Sequence, residues 1–347
     1  MSEKQNMKAI VKTKEMEGAE YLEVKVPDIS PEEVLVKVKA SAICGTDNHI
    51  YEWNNWAQEN CGQLPRIMGH EFSGIIEKVG KNVTKVKPGD RIAGETHVPC
   101  GNCFLCRTGN QYNCQNLKQF KNGVFADYAI IPEYCAEKIP ENIPFEVGAL
   151  FEPFGVAVHA ASYVKLVGDS VMIIGAGPIG LFSIMMAKVM GASSIYVSEP
   201  NEYRRKLAEK LGINKAFNPL KENVVEQIKE LTNGLGVGVV FETSGNIRAI
   251  KIGFNLLRKC GSYLMIGLPS EPLVLNAGSD IVWKGAKIYG VYGRDIFSTW
   301  EIVKNILGSK KVDLSLIITH HFSFKEFDKA FKLSLDGNAG KIILLPE

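Results

Sequence analysis

The segment Val171-Met-Ile-Ile-Gly-Ala-Gly-Pro-Ile-Gly180 decides the fold of this 347-residue chain. Four consecutive apolar residues predict a short buried strand, the spacing G-x-G-x-x-G predicts a tight turn, and an apolar helix is predicted over 179–190. In this context the first glycine permits the turn, the second lets backbone approach a pyrophosphate, and the third lets the helix pack on the strand. The segment therefore predicts a dinucleotide site at a helix N-terminus, where free N–H groups favour an anion.

Strands and helices alternate after this segment. Apolar runs at 195–199, 237–242, 262–267 and 287–291 predict further strands, and the residues at 202–211 predict a helix directly after the first of them. Strands that alternate with helices form a parallel, doubly wound sheet with right-handed crossovers, the Rossmann arrangement. We therefore expect a Rossmann domain over 155–294.

Glu199 stands at the end of the strand that follows the glycine turn. In dinucleotide-binding domains a carboxylate at this place accepts hydrogen bonds from the ribose hydroxyls and repels a 2′-phosphate, so Glu199 favours NAD over NADP. Arg204 and Arg205 follow closely and could weaken that preference. The alternative is that all three are ordinary solvated residues, an interpretation that we favour for Arg205 only.

The first third of the chain has a different pattern, in which short predicted strands are separated by turns. Val34, Val36 and Val38 alternate with other residues as in a strand, and turn sequences such as Lys87-Pro-Gly-Asp90 recur. Short strands between turns predict a β-rich domain over 1–154, as a small barrel or sandwich. The tail over 295–347, with two helix-like runs and a closing strand at 341–345, is assigned to the same domain, so the Rossmann domain is an insertion.

The composition excludes several classes of protein. Hydrophobic residues make up 46% and charged residues 22% of the chain, which are globular values and not those of a disordered protein. Lys and Arg total 40 against 38 for Asp and Glu, and they are scattered along the chain. There is no basic or acidic run to bind nucleic acid or an anionic membrane, so neither partner is expected.

Four of the eight cysteines are crowded together, in the spacing C-x2-C-x2-C-x7-C, as Cys100, Cys103, Cys106 and Cys114. Four thiolates at such spacing form a closed tetrahedral zinc site with a structural role. An iron–sulfur cluster uses similar ligands, but its usual Cys-Pro at the fourth position is missing here. Eight cysteines without a secretion signal also argue against disulfides and for a location in the reducing cytoplasm.

A second set of metal-binding residue types is dispersed along the chain, as Cys44, His70, Glu71 and Glu152. A mixed set of sulfur, nitrogen and oxygen ligands leaves zinc with an open position for substrate. Each residue also has an ordinary explanation, as a buried thiol, a core histidine or a surface carboxylate. The spacing alone does not decide between the two interpretations.

The segment Gly69-His-Glu-x2-Gly74-x5-Gly80 resembles the signature of the zinc-dependent medium-chain alcohol dehydrogenases, and the four-cysteine lobe and the glycine turn follow in that family's order. The resemblance covers essentially the whole chain. It implies an α/β protein in which a GroES-like, β-rich catalytic domain, with a structural zinc lobe at about 95–116, is interrupted by the Rossmann domain. It also implies NAD as cofactor, one catalytic and one structural zinc ion in each subunit, and a homotetramer.

The resemblance also implies roles for individual residues. Cys44, His70, Glu71 and Glu152 would surround the catalytic zinc, with Glu152 also taking part in catalysis, and Thr46 and His49 would relay the alcohol proton to solvent. The residues around the cofactor would be Gly175, Gly177, Ile179, Gly180, Glu199, Arg204, Ile266, Gly267, Leu268, Val291 and Tyr292. The apolar members of this set are equally well explained as buried strand ends.

Within the family, several segments are most similar to the branch that oxidises the C3 hydroxyl of L-threonine with NAD, among them Tyr292-Gly-Arg-Asp-Ile-Phe-Ser-Thr-Trp300. Two departures, Asn48 for an apolar residue and Val156 for an asparagine, leave open a polyol, sorbitol or 2,3-butanediol as substrate. A third interpretation is a catalytically silent protein that binds zinc and a nucleotide. Arg294 is a candidate for binding the carboxylate of threonine, with a structural salt bridge as the alternative.

Overall fold

The structure is a computed structural model that describes residues 6–118, 123–269 and 271–347. The chain forms two compact units. The first unit joins Met1–Glu152 to Ile318–Glu347, and the second unit is the insertion Pro153–Ile317. The α/β fold class and the insertion of one domain into the other are therefore as predicted from the sequence.

The strands in the described part of the chain are β1 (Asn6–Lys12), β2 (Glu20–Lys25), β3 (Glu33–Ala42), β4 (Arg66–Ile67), β5 (Glu71–Val79), β6 (Arg91–Gly94), β7 (Tyr128–Pro132), β8 (Ala136–Lys138), β9 (Ser170–Ile174), β10 (Ser194–Ser198), β11 (Lys215–Phe217), β12 (Val237–Glu242), β13 (Leu257–Met265), β14 (Lys287–Gly290), β15 (Ile318–Ser323) and β16 (Lys341–Leu345).

The α-helices in the same ranges are α1 (Gly45–Glu52), α2 (Asn55–Asn60), α3 (Phe104–Arg107), α4 (Phe145–Gly148), α5 (Phe151–Ser162), α6 (Pro178–Val189), α7 (Glu202–Lys210), α8 (Val224–Leu231), α9 (Ile247–Leu256), α10 (Ser298–Gly308) and α11 (Phe327–Leu335). Short 3₁₀ turns lie at Gln111–Asn113, Glu133–Cys135, Leu314–Ile317 and Phe324–Glu326, and a π-turn lies at Ala277–Val282.

The first unit is built on a sheet in the strand order β15-β16-β3-β5-β6-β8, with β7 also paired to β3, beside a smaller sheet in the order β2-β1-β4. The alternation predicted for β3 is only partly observed. Val34, Val36 and Val38 are buried in the main core, but Leu35 on the opposite face is buried too. Leu35 packs with Met7 and other apolar residues of a second cluster, so the first residues of β3 are covered on both faces, whereas Lys37 further along is exposed.

The second unit is a parallel sheet in the strand order β11-β10-β9-β12-β13-β14, with every strand pair parallel. This is the order of a Rossmann domain, in which ligands bind at the carboxyl ends of the strands near the central β9. The strands β9, β10 and β12 are buried runs of apolar residues, as expected for a sheet with helices on both faces. A stacked pair of rings, Phe254 and Tyr263, fills part of its core with centroids 4.2 Å apart.

The boundary at the end of the insertion differs from the one expected from the sequence. The segment 295–317, expected in the β-rich domain, belongs to the second unit, and the chain returns to the first unit only at Ile318. The turn Leu314–Ile317 packs against α6, which holds the segment to the second unit, and Trp300 and Val303 of α10 are almost inaccessible to solvent. The first boundary falls after Glu152, close to the expected position.

Among the residues that the structure describes, no helix has the combination of length and hydrophobicity that crossing a bilayer demands.

Gly80 provides a test of the packing between the loop at 30–31 and the end of β5. A Cβ atom at this position would lie 2.3 Å from the carbonyl oxygen of Pro31, which is rigid backbone. We expect Gly80→Ala to lower the free energy of unfolding by about 1–3 kcal/mol, since overpacking forces the backbone to move. Denaturation followed by circular dichroism measures the effect. The matched control is Gly308→Ala in α10, where the Cβ meets open space, and equal stabilities of the two variants would contradict the prediction.

Candidate functional site

Cys44, His70 and Glu71 come together at the same end of two neighbouring strands. Strand β3 pairs with β5 in a register that places Ala42 opposite Glu71. One ligand atom from each of Cys44, His70 and Glu71 lies within 4.8 Å of the others, so one metal ion can reach all three. Sulfur, nitrogen and oxygen donors at this separation suit zinc with an open position. The sheet thus brings together three of the four dispersed residues that the resemblance implied around a catalytic zinc.

Asp47 orients two of these donors, a role that the sequence did not suggest. Its side chain is 1% exposed. Oδ2 accepts a hydrogen bond from the backbone N–H of Cys44 at 2.9 Å, and Oδ1 lies 3.6 Å from Nδ1 of His70. A carboxylate behind a ligating histidine fixes the tautomer and direction of the ring. The signal available in the sequence was the position of Asp47 at the third residue of α1, where a carboxylate can cap the helix.

The environment of His70 is one that stabilises a positive charge. Burial opposes protonation of the ring, but the negative charges of Asp47 and Cys44 outweigh burial and raise the pKa of His70 well above its usual value. In addition, Oδ1 of Asp47 and Oε1 of Glu71 are buried and have no hydrogen-bond partner within the described chain. Unpartnered buried oxygens are costly, and a cation bound between Cys44, His70 and Glu71 would compensate the carboxylate of Glu71. The residues present therefore fit a zinc ion.

Glu71 is held by a lysine from the far end of the chain. Lys341 at the start of β16 donates to Oε2 of Glu71 and to the carbonyl oxygen of Ile43 at 3.0 Å. Both charged side chains are buried. Burial raises the pKa of Glu71 to about 7, with Lys341 acting in the opposite direction and Glu152 in the same direction. Glu152, the fourth expected ligand, thus lies close enough to act on Glu71, but it is not within the 4.8 Å group.

The two residues of the expected proton relay lie on helix α1, three positions apart. Oγ1 of Thr46 is 3.9 Å from Sγ of Cys44, beside the metal ligands. His49 is exposed to solvent; its Nδ1 is 2.6 Å from Nδ2 of Asn54, and its ring contacts Trp56. Residues three apart share a helix face, so Thr46 lies beside the metal ligands and His49 lies on the same face in contact with solvent. Asn48, the departure between them, hydrogen-bonds Ser334 on α11 at 2.9 Å.

The four clustered cysteines form a second compact donor set. Their sulfur atoms lie within 4.8 Å of one another, around the short helix α3. Backbone N–H groups of Asn102 and Cys103 lower the pKa of Cys100 to about 6, whereas burial and the adjacent thiols raise the pKa of Cys106 to about 12. Four thiolates repel one another, and a divalent cation removes that repulsion. The geometry therefore fits the closed zinc site expected from the spacing.

The glycine turn leads from β9 into helix α6 as predicted. A Cβ atom at Gly180 would lie 2.0 Å from the carbonyl oxygen of Gly175, so only glycine allows this close approach of helix and strand. A Cβ atom at Gly177 would meet nothing within 4 Å, and no side chain caps the helix that begins there. The helix N-terminus therefore faces open space with its N–H groups available to an anion. A pyrophosphate fits this cradle.

Glu199 is buried at the carboxyl end of β10 and is not a solvated surface residue. Its two carboxylate oxygens accept hydrogen bonds from the backbone N–H groups of Ala176 at 2.7 Å and Asn201 at 2.8 Å. Glu199 thus stabilises the glycine turn through Ala176, and it also lies where a ribose would bind. A carboxylate has about four acceptor sites, so ribose hydroxyls can still be received.

The two neighbouring arginines behave differently. Arg205, expected to be solvated, instead donates from its guanidinium to the carbonyl oxygens of Glu199 at 2.7 Å and Pro200 at 2.6 Å. These two bonds fold the side chain back onto the end of β10. Arg204 has a buried Nε atom without a hydrogen-bond partner in the described residues.

The remaining cofactor candidates lie at the carboxyl ends of β13 and β14. The N–H groups of Ile266 and Gly267 both donate to the carbonyl oxygen of Glu242 at 2.9 Å, and that of Val291 donates to Met265 at 2.9 Å. Leu268 and Tyr292 are largely exposed, whereas Val291 is buried. Ile179 follows the cradle on α6. The structure therefore brings these candidates to the sheet edge where a Rossmann domain binds its ligand.

Arg294, considered from the sequence as a contact for the substrate carboxylate, is buried. The side chain is 1% exposed, and a Cβ atom at Gly155 would lie 2.7 Å from its Cδ atom. A guanidinium buried in this way, with its stem lying across a helix, favours the structural alternative over contact with the carboxylate of a substrate.

Comparison with known proteins gives consistent results over the whole chain. Residues 30–141 match the family model described as alcohol dehydrogenase GroES-like domain, and residues 178–308 match that of the zinc-binding dehydrogenases. An L-threonine 3-dehydrogenase of Caldanaerobacter subterraneus subsp. tengcongensis is 44% identical, over 98% of this chain and 99% of its own length.

Solved structures with the same fold include an alcohol dehydrogenase of Escherichia coli CFT073 in complex with NADH and the 2R,3R-butanediol dehydrogenase of Bacillus subtilis. The first has a TM-score of 0.89 and 28% identity and covers 98% of this chain and 99% of its own. The second has a TM-score of 0.88 and 28% identity, over 98% and 100%. With both family models and a full-length relative matched, this chain belongs to the family of zinc-binding alcohol dehydrogenases with a GroES-like domain and a Rossmann domain.

Proposed function

We propose that the protein oxidises the C3 hydroxyl of L-threonine to 2-amino-3-oxobutanoate and transfers the hydride to NAD. The observation that carries this proposal is the match at 44% identity along the full length of an L-threonine 3-dehydrogenase. The donor set of Cys44, His70 and Glu71 supplies a place for the metal that such an oxidation requires. In the balanced reaction the secondary alcohol loses a hydride to NAD⁺ and a proton to solvent, which gives the ketone and NADH.

The first unit handles the hydroxyl group and its proton. Cys44 and His70 would hold a zinc ion, which when bound would supply Lewis acidity to lower the pKa of the substrate hydroxyl. Asp47 keeps the two ligands in position. The hydroxyl of Thr46 accepts the departing proton and donates its own towards His49, whose ring is exposed and can release a proton to water. Glu152 supplies a negative charge on the metal side that suits the ammonium group of threonine.

The second unit binds the oxidant. The N–H groups at the start of α6 receive the pyrophosphate across Gly177, and Glu199 receives the ribose of the adenosine half. Because Glu199 is a buried acidic residue beside the turn, a 2′-phosphate would bring further negative charge against it. NAD is therefore the proposed cofactor rather than NADP.

We propose a homotetramer that works in the reducing cytoplasm. Strand β14 is an edge of the parallel sheet, and its Ile288 is 37% exposed; Val282 and Trp283, a few residues earlier in the chain, are exposed too. An edge strand has unpaired backbone N–H and C=O groups that can pair with another strand, and a second copy of the chain would cover both the edge and the exposed apolar residues. All eight cysteines are unpaired thiols, and the four clustered ones must stay reduced to hold zinc.

A diol or polyol is the second candidate substrate. Val156 stands in α5 where an asparagine is typical of the threonine-oxidising branch. The fold is also shared, at 28% identity, with the butanediol dehydrogenase. Diols carry neither the carboxylate nor the ammonium group of threonine, so a comparison of substrates separates the two proposals.

We expect kcat/KM for L-threonine to exceed that for 2,3-butanediol and sorbitol by at least about tenfold. One charge-assisted contact that only threonine can make contributes about 1.5–3 kcal/mol, which is a ten- to hundredfold effect. The assay follows NADH absorbance with each substrate. Cys44→Ser is the inactive control, with circular dichroism to verify its fold. A higher kcat/KM with 2,3-butanediol or sorbitol would contradict the threonine proposal, and no turnover with any substrate would favour a catalytically silent protein.

We expect two zinc ions per chain, of which only one is labile. The cluster of four thiolates is closed, whereas the site at Cys44 has fewer soft ligands and an open face. Mild chelation should remove one zinc and all activity, while light scattering still reports a tetramer. Elemental analysis of Cys44→Ser and Cys103→Ser should show loss of the labile and of the retained ion, respectively, with a lower Tm only for the second variant. One zinc, or iron, in the pure wild-type protein would overturn this assignment.

We expect Glu199→Gln to lower kcat/KM for NAD by about tenfold and to raise the ratio of NADP to NAD activity. The amide keeps the size of the side chain but loses the charge that repels a 2′-phosphate and receives the ribose. Initial rates with both cofactors measure the effect. Glu209→Gln, an equal change of charge at an exposed position of α7, is the control. Unchanged constants for both cofactors in Glu199→Gln would refute the role assigned to this residue.

A further inference from the structure

Helix α5 presents two residues to the turn that follows β14. Gly155 and His159 are four positions apart and therefore lie on the same face of the helix. The stem of Arg294 crosses Gly155 so closely that a Cβ atom there would lie 2.7 Å from Cδ and 2.9 Å from Cγ. One turn further along, Nδ1 of His159 lies 3.1 Å from the carbonyl oxygen of Gly293. Two consecutive residues of the turn are thus docked on one helix face.

His159 is held in one tautomer by its neighbours. The ring is 3% exposed, and its Nε2 lies 3.1 Å from the hydroxyl of Tyr163. Burial, with the adjacent charge of Arg294, lowers the pKa of His159, so the ring is neutral near pH 7. A carbonyl oxygen can only accept, so Nδ1 carries the proton and Nε2 accepts from the tyrosine hydroxyl. Tyr163 in turn packs against Tyr289 of β14, with ring centroids 5.3 Å apart.

The turn held in this way lies on the nicotinamide side of the sheet. Glu199, which receives the adenosine ribose in the proposed function, follows β10, and the pyrophosphate cradle follows β9. The strand order continues from β9 through β12 and β13 to β14. A dinucleotide that runs along the carboxyl edge therefore places its other half towards the ends of β13 and β14, where Val291 and Tyr292 begin the docked turn.

We propose that His159 and Gly155 are positioning residues for the nicotinamide half of the cofactor. They act through the backbone of the turn at 291–294, which α5 holds against the carboxyl edge of β14. The adenosine half, bound at the opposite side of the sheet, does not depend on them. This inference rests on the proposed function, since it presupposes that the second unit binds NAD.

The test compares two ligands that differ only in the nicotinamide. We measure the Kd values of NADH and ADP-ribose by calorimetry for the wild-type protein, His159→Leu and His159→Asn. His159→Leu removes the donor to Gly293 and should raise the Kd of NADH by about five- to tenfold, the effect of one neutral hydrogen bond. The Kd of ADP-ribose should change less than about twofold. His159→Asn keeps an N–H donor near the place of Nδ1 and should restore most of the affinity for NADH. A merely destabilised domain would weaken both ligands alike.

The outcomes distinguish this inference from the proposed function. If the wild-type protein binds neither ligand, the proposed cofactor is wrong. If it binds both and His159→Leu leaves the ratio of the two Kd values unchanged, the positioning role is wrong. Should His159→Leu fail to fold, Tyr163→Phe carries the test, because it keeps the packing on Tyr289 and removes only the hydroxyl that fixes the imidazole. A selective loss of about threefold for NADH supports the role, and an unchanged ratio overturns it.

Discussion

The pairing of β3 with β5 is the constraint on which the candidate metal site depends. Cys44 lies two residues beyond the end of β3, and His70 lies one residue before the start of β5. Only the register that places Ala42 opposite Glu71 brings these residues to the same end of the two strands. Helix α1 begins at this point as well, so the same register sets where Asp47, Thr46 and His49 stand. A shift by one residue would turn each side chain to the other face of the sheet.

The same end of the sheet contains more buried charge than stability alone would favour. Glu71 and Lys341 are both fully buried, and such pairs are often no more stable than apolar residues of the same size. Asp47 is buried beside them with one oxygen unpartnered in the described chain. Of these groups, Glu71 also belongs, with Cys44 and His70, to the set of donors that one cation can reach. The arrangement is therefore explained by the metal that it can hold, because a bound cation compensates carboxylates that the fold itself leaves unsatisfied.

The second unit uses backbone groups where the first uses side chains. The start of α6 offers N–H groups to an anion, and the N–H groups of Ala176 and Asn201 hold Glu199. The turn at 291–294 is likewise held through a carbonyl oxygen, that of Gly293. Backbone dipoles are positioned by the strands and helices that carry them, so they need no flexible side chain to be ordered when a ligand binds. A rigid parallel sheet is suited to this form of recognition.

Features that depend on neighbouring residues were predictable from the sequence. The glycine turn, the strand and helix beside it and the four-cysteine spacing each reflect contacts within about fifteen residues, where chain geometry leaves few choices. The position of Glu199 was predictable for the same reason, since it needs only the next strand of the repeat. The dispersed donors required a resemblance to known proteins to be singled out, because spacing alone left their ordinary explanations open.

Only the tertiary structure decided the contacts between distant residues. Lys341 is 270 positions from Glu71 in the sequence, and the residues around each of them do not predict that the two side chains pair. Asp47 acquires a role only when β5 brings His70 to it. The insertion ends at Ile317, in a turn that packs against α6 of the second unit. Arg294 looked like a cation available to a substrate until its burial across Gly155 was known. Such contacts are determined by strand register and by the packing of whole elements, which no local pattern of residues encodes.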